Sequence, residues 1–450
     1  MHMLVVGALA SAGRLTASLF SSTMSLDSNG IGPPPDGSQR RLRVPRTFAA
    51  LRHRNYRLFF AGQMVSLTGT WMQNMALPWL VYQLTGSAFL LGVIAGLGTL
   101  PMLVFAIPGG VLADRVPKRR ILLTTQSCAM LFAFILSLLT MAHWIQVWHI
   151  AVLALLGGIV FAFDMPARQA FVVEMADRRD LMNAIALNSS IFNSARIIGP
   201  SIGGALVASI GAGWCFFVNG WSFVAVLIGL LLMRFPPQPR REFTTTPVGD
   251  AIGGLRYLRT NATVMGLAAL LAVVTTFGWS YAVLMPVFAK VVLRVGARGF
   301  GYLMTANGVG ALIGALTVAT LAGRPSRRML FGGAFLLAAA LIGFSFSRNF
   351  PLSLVMLALV GLGGIAFMST ANSTFQLSVP DEVRGRIMGV WGLVMAGTGP
   401  IGSLQIGALA EYLGAPNAVL IGACITAVGT LAALVAWQRR RGRGLPNEGS

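Results

Sequence analysis

Two charged residues stand out for where they lie. Asp164 and Arg196 fall deep inside stretches that are otherwise apolar enough to cross a bilayer. A charge at the centre of a membrane helix costs about 3 kcal/mol on insertion scales, so such a residue is either paired or put to use. The charged turn between the two stretches centres near Arg179 and Asp180, with Asp164 about sixteen residues before it and Arg196 about sixteen after. Antiparallel helices rise equally per residue, so both side chains reach one depth near mid-bilayer. An ion pair between them, direct or through a water, is the expectation, and Arg168, one turn from Asp164, can join it. Two roles fit this trio: a static bridge fixing one helix against the next, or an acid that takes up and releases a proton. Burial favours the neutral acid and an adjacent guanidinium favours the carboxylate, so both roles stay open.

Pro200 follows Arg196 by four residues. It has no N–H, so the Arg196 carbonyl loses its helical partner and the helix bends there. Gly199, Gly203 and Gly204 give a smooth face for the close approach of another helix. A further polar set, Gln63, Ser66, Thr70 and Asn74 within QMVSLTGTWMQN (63–74), recurs at helical spacing and is expected to face the interior. No hydrolytic or metal-binding set accompanies them. The four His (His2, His53, His143 and His149) lie at the ends of apolar stretches or in the leader, and Cys128, Cys215 and Cys424 are far apart. Neither an intramembrane enzyme, a metal site nor a disulfide framework is indicated.

A bilayer-spanning scaffold has to position these residues. Of 450 residues, 55% are apolar, 10% are charged and 53 are Gly, the composition of a polytopic membrane protein. Twelve helical spans are expected, near 58–83, 88–113, 120–142, 148–174, 183–210, 214–233, 262–289, 299–322, 329–347, 351–377, 386–411 and 415–437. The one long polar connection, 234–261, contains Pro236, Pro237 and Pro239 and divides a bundle at 57–233 from a second at 262–437. Residues 1–56 are expected to lie outside the fold. Their first apolar stretch is too short to span and lacks a basic leader, so it is not read as a signal peptide. GIGPPPDGS (30–38) reads as disordered, Met24 is an alternative start, and the basic arm after residue 40 suits anionic headgroups. Residues 438–450 form a basic tail.

The net charge of +21 does not point to nucleic acid. Basic residues gather before the first span, in alternate loops and in the tail, and only Lys290, Arg294, Arg298 and Arg348 fall on the other side. That asymmetry places both termini in the cytoplasm. The halves also repeat. LADRVPKR (112–119) is echoed by LAGRPSRR (321–328), with Gly323 where Asp114 stands, and IIGPSIGGAL (197–206) by GTGPIGSLQIGAL (397–409).

The block GVLADRVPKRR (110–120) has five charges within seven residues, between two long apolar stretches. Its Gly110, Leu112, Ala113, Asp114, Arg115, Lys118 and Arg119 resemble the loop between the second and third helices of the major facilitator superfamily. Pro117 stands where the family usually has a second Gly, and Pro also favours a turn. The Gly199, Pro200, Gly203 and Gly204 pattern resembles the fifth-helix motif of proton-coupled exporters in that superfamily. GTWMQN (69–74) and DMPARQAF (164–171) are similar to its drug:proton antiporter branch, which holds the enterobactin exporter, macrolide efflux pumps and a lysophospholipid transporter. The resemblance covers about residues 50–435 and is densest in the first half.

The resemblance implies an all-α fold of two six-helix pseudo-repeats rocking about a shared cavity. It implies that Gly110, Asp114, Arg115 and Arg119 belong to a gating loop, with Asp114 docking near the helix start after Arg386 when the inner side closes. It also implies a cavity lined by helices 1, 4, 7 and 10. Gln63, Thr70, Asn74, Thr276, Trp279, Tyr281, Asn372 and Gln376 are the candidates for that lining, with ordinary helix packing as the alternative for each. The Arg that many drug exporters carry early in helix 4 is missing here. The expected function is secondary active efflux of an amphipathic small molecule, a siderophore, macrolide or similar, coupled to proton influx across the inner membrane. The expected state is a monomer without cofactor or metal. A lipid or lysophospholipid flippase, or a metabolite transporter of the same fold, is the alternative.

Overall fold

The computed structural model describes residues 46–175, 179–234, 261–321 and 326–442. Residues 1–45, nearly all of the 234–261 connection, the loop with Gly323 and the last eight residues of the tail lie outside the described residues. Twelve long helices run in order: α1 (Arg54–Thr85), α2 (Ala88–Arg115), α3 (Lys118–Met141), α4 (Val147–Met175), α5 (Leu181–Ile210), α6 (Ala212–Leu232), α7 (Ala262–Val292), α8 (Gly296–Leu321), α9 (Arg327–Phe346), α10 (Phe350–Leu377), α11 (Asp381–Leu413) and α12 (Ala415–Gly442). No strand occurs among the described residues. Eleven of these helices are long and apolar enough to cross a bilayer on composition alone. The exception is α1; of its polar residues Gln63 and Ser66 are buried, while Asn74 is exposed.

Within the first half, α1 lies against α5 and α6, α2 against α4, and α3 against α4 and α6. The second half repeats this arrangement, with α7 against α11 and α12, α8 against α10, and α9 against α10 and α12. The tight turns repeat too. Gly86 and Gly296 precede α2 and α8 with φ of 65° and 66°, and Gly211 and Gly414 precede α6 and α12 with φ of 96° and 82°. Only glycine adopts these angles without a Cβ penalty, so the matched positions keep these hairpins short in both halves.

Two helix pairs make most of the contact between the halves, α2 with α11 and α5 with α8. Both seams bring backbone against backbone at their closest points. A Cβ on Gly204 would stand 2.9 Å from the Gly301 Cα, and one on Gly407 would stand 2.9 Å from the Gly92 Cα. Small residues let helices approach this closely where no side chain has to interdigitate. The seams occupy the helix ends near the 86 and 211 turns. There the Glu411 carboxylate of α11 accepts from the Ser87 hydroxyl (3.1 Å) and the Phe89 N–H (3.0 Å) at the start of α2, where the helix dipole favours an anion. At the other end the halves part, and a Cβ on Gly385, Gly389 or Gly392 of α11 would meet open space.

The fold begins ahead of the boundary expected at residue 57. Arg46–Arg52 forms a 3-10 turn. Within it Ala50 is fully buried and donates its N–H to Asn183 Oδ1 (2.9 Å). His53 Nε2 lies 2.8 Å from Asp180 Oδ2, and the Tyr56 hydroxyl donates to the Ala184 carbonyl (2.8 Å). The foot of α5 thus offers polar partners and an apolar seat that a reading based on charge did not register. The seventh span is also not one regular helix. It is α-helical over Ala262–Val273, π-wound over Val274–Gly278, 3-10 over Ser280–Leu284 and π-wound again over Phe288–Val292. Pro286 contributes by withholding an N–H from the ladder, and such departures are frequent at functional positions.

Candidate functional site

Asp164 of α4 is buried, with 3% of its surface exposed. Its Oδ1 accepts from the Thr125 hydroxyl and from Gln126 Nε2, both at 2.7 Å, from adjacent positions on α3. Its Oδ2 accepts from Arg168 Nε (2.9 Å) and Nη2, an i,i+4 ion pair on α4. The third nitrogen of that guanidinium, Nη1, donates to Gln63 Oε1 on α1 (2.7 Å). One carboxylate therefore gathers α1, α3 and α4. Its cluster holds a loose end: Gln126 Oε1 is buried and accepts no hydrogen bond.

The expected Asp164–Arg196 pair does not form. Arg196 Nη2 donates to Asn307 Oδ1 of α8 (2.8 Å), and its guanidinium carbon lies 5.8 Å from the centre of the Trp71 ring on α1. Asn307 Nδ2 in turn donates to the Tyr281 hydroxyl (2.8 Å) and the Leu357 carbonyl (3.3 Å). The two residues have separate partners. α4 and α5 are consecutive in the chain yet barely touch, because α4 lies against α2 and α3 while α5 lies against α1 and α8.

Gly199, Gly203 and Gly204 serve two neighbours. A Cβ on Gly199 would stand 2.6 Å from the Trp71 Cβ of α1, Gly203 faces Met72 of the same helix, and Gly204 faces α8. Pro200 is buried between them. The loop residues separate by role. Arg119 donates to the Leu230 and Leu231 carbonyls (2.6 and 2.9 Å), closing the end of α6, while Lys118 pairs with Glu174 (2.5 Å). Asp114 and Arg115 are exposed and engage no partner on α11, and Gly110 has open space beside it.

The lining candidates are scattered. Gln63 is committed to Arg168 and Tyr281 to Asn307. Thr70 donates to the Ser66 carbonyl within its own helix, and Asn74 is exposed. Thr276 is buried, Trp279 lies over Gly364 of α10, and Gln376 donates to Asn372 (2.7 Å). Thr125, Gln126, Asn307 and Glu411 escaped the sequence reading. The available signal was weak: for Thr125, Gln126 and Asn307 it was an uncharged polar residue in an apolar helix, which a buried environment obliges to find a partner, and for Glu411 a single acid near a helix end.

A sequence profile described as transmembrane secretion effector matches residues 45–441, nearly the whole described chain. The chain belongs to that family. It is thus a multi-pass membrane transporter of the major facilitator superfamily and not an enzyme. Among its relatives is the multidrug efflux pump Tap of Mycolicibacterium fortuitum, 29% identical over 356 residues, which cover 77% of this chain and 87% of Tap. Another is the enterobactin exporter EntS of Escherichia coli O1:K1 / APEC, 28% identical over 402 residues, covering 88% and 94%. A solved peptide transporter of the POT family in complex with sulfate shares the fold with a TM-score of 0.69 at 14% identity, covering 88% of this chain and 98% of that one.

Proposed function

We propose that this member of the transmembrane secretion effector family exports an amphipathic small molecule, of the siderophore or drug type, across the inner membrane by alternating access coupled to proton influx through Asp164. The relatives named for export support the direction and the class of cargo. The basic residues, concentrated at the end where α1 begins and α12 finishes, support cytoplasmic termini and hence an open end facing the cytoplasm.

The observation that carries the coupling role is the Asp164 cluster with its unused acceptor. As a carboxylate, Asp164 holds Arg168, which reaches Gln63 and ties α4 to α1. On protonation Oδ1 turns from acceptor to donor: the Gln126 amide rotates so that its Oε1 accepts the acid O–H, and its Nε2 gives up the bond it made to the carboxylate. The same proton removes the charge that anchors Arg168, and the tie between α4 and α1 loosens. A single proton thus changes how two helices beside the cavity are held, which alternating access requires of a coupling site. Asp164→Asn tests this in proteoliposomes. Gradient-driven transport should be lost while substrate exchange without a gradient persists, and full gradient-driven transport by this variant would end the coupling role.

A further inference from the structure

We infer that Arg196 is the receptor for an acidic group on the cargo, so that the transported molecule is an organic anion with an aromatic or apolar body. This rests on the efflux reading and names the class of its substrate.

A guanidinium carries five N–H donors. Arg196 uses one of them, on a neutral amide oxygen. Among the described residues no carboxylate lies within ion-pair distance of it, whereas Arg168 has Asp164 and Lys118 has Glu174. Asn307 is anchored by its own N–H groups to Tyr281 and to the α10 backbone, so its oxygen holds the guanidinium in place without neutralising it. The result is a fixed, half-buried cation lacking a counter-charge, in a region where that is costly.

Its position makes the missing partner a mobile one. On one side of Arg196 the α5–α8 seam is closed by the Thr305 hydroxyl on the Ile197 carbonyl (3.0 Å) and by Gly301 against Pro200. On the other side the halves part, and Ser189, two turns further along the same face of α5, is exposed. Arg196 therefore stands at the head of the opening. Beside it Trp71 and Phe192 meet edge to face with ring centres 5.6 Å apart, and Phe192 is 45% exposed. A planar cation next to an accessible aromatic face suits a carboxylate, sulfonate or phenolate carried on an aromatic ring. Trp71, Phe192 and Arg196 come from the first half and Asn307 and Tyr281 from the second, so an anion bound here would touch both moving bodies.

The test uses two fluorescent probes of matched ring structure, 1-anilinonaphthalene-8-sulfonate and the uncharged N-phenyl-1-naphthylamine, with the full chain in proteoliposomes under an imposed pH gradient. Wild type should prefer the sulfonate. Arg196→Gln should lower the anion-to-neutral transport ratio by about tenfold or more, the scale of a charge-assisted bidentate pair, and Arg196→Lys should recover part of it. Asn307→Asp supplies an internal carboxylate and should reduce the same ratio with Arg196 intact, which keeps the proposal testable if Arg196→Gln fails to fold. An unchanged ratio in either Arg196→Gln or Asn307→Asp overturns it. Wild type moving the neutral probe but not the sulfonate leaves efflux standing and removes the anion receptor. Wild type moving neither probe removes the efflux reading and this inference with it.

Discussion

Arg168 is what makes Asp164 an ion pair and not merely a buried acid. Removing one partner of a buried pair costs about 3–5 kcal/mol when the other is left charged. Arg168→Gln should therefore lower the thermal unfolding temperature of the purified protein by several degrees. Adding Asp164→Asn to the same chain should recover most of the loss, because the two changes share one interaction. Additive losses would show that the pair contributes nothing as a pair. Sequence made Asp164 and Arg196 conspicuous, since charges in apolar helices are visible by inspection. It could not choose between partners at one depth, because helical rise fixes height while packing fixes which way each side chain faces. Arg168 was legible as an i,i+4 neighbour, but Gln126 and Asn307 matter only through what they touch.

For helices, the informative contacts are those that admit no side chain. Gly92 of α2 lies so close to α11 that a Cβ would collide with the Ser403 carbonyl oxygen. Gly92→Val should force the two helices apart at a cost of about 1–3 kcal/mol, enough to shift the balance of conformers roughly tenfold. Spin labels at the exposed positions Phe89 and Tyr412 would report this as a longer distance by pulsed electron resonance. Glu411→Ala, which removes the acceptor of Ser87 and Phe89, should move the same distance in the same direction but by a smaller population. A distance distribution unchanged in both variants would show that neither contact holds this end shut. The repeated Gly-Pro segments of α5 and α11 were readable from sequence, and they do lie along the seams. The broken winding of α7 was readable only at Pro286, because the rest of its irregularity depends on neighbours such as Thr426 facing Gly278.

Across the whole molecule, one end is joined and the other parted, and the exposed Asp114 and Arg115 belong to the parted end. We propose that their contacts are made in the opposite conformer. Asp114→Asn should then leave the Phe89–Tyr412 distance unchanged while slowing transport several-fold, since only the alternative state loses an interaction. A lengthened distance at the joined end would contradict this. Twelve spans in two sets of six could be read from composition, charge and the positions of polar loops, because a bilayer leaves few other options for such stretches. How the sets meet could not, since it depends on close approach of surfaces that look alike in sequence. The glycine-lined seams carry a consequence for speed. Where bare main chain meets bare main chain no side chain has to be unthreaded, so the time taken to switch should be governed by the polar fasteners at the ends, by side-chain contacts such as Trp79 on Phe300, and by the cargo itself.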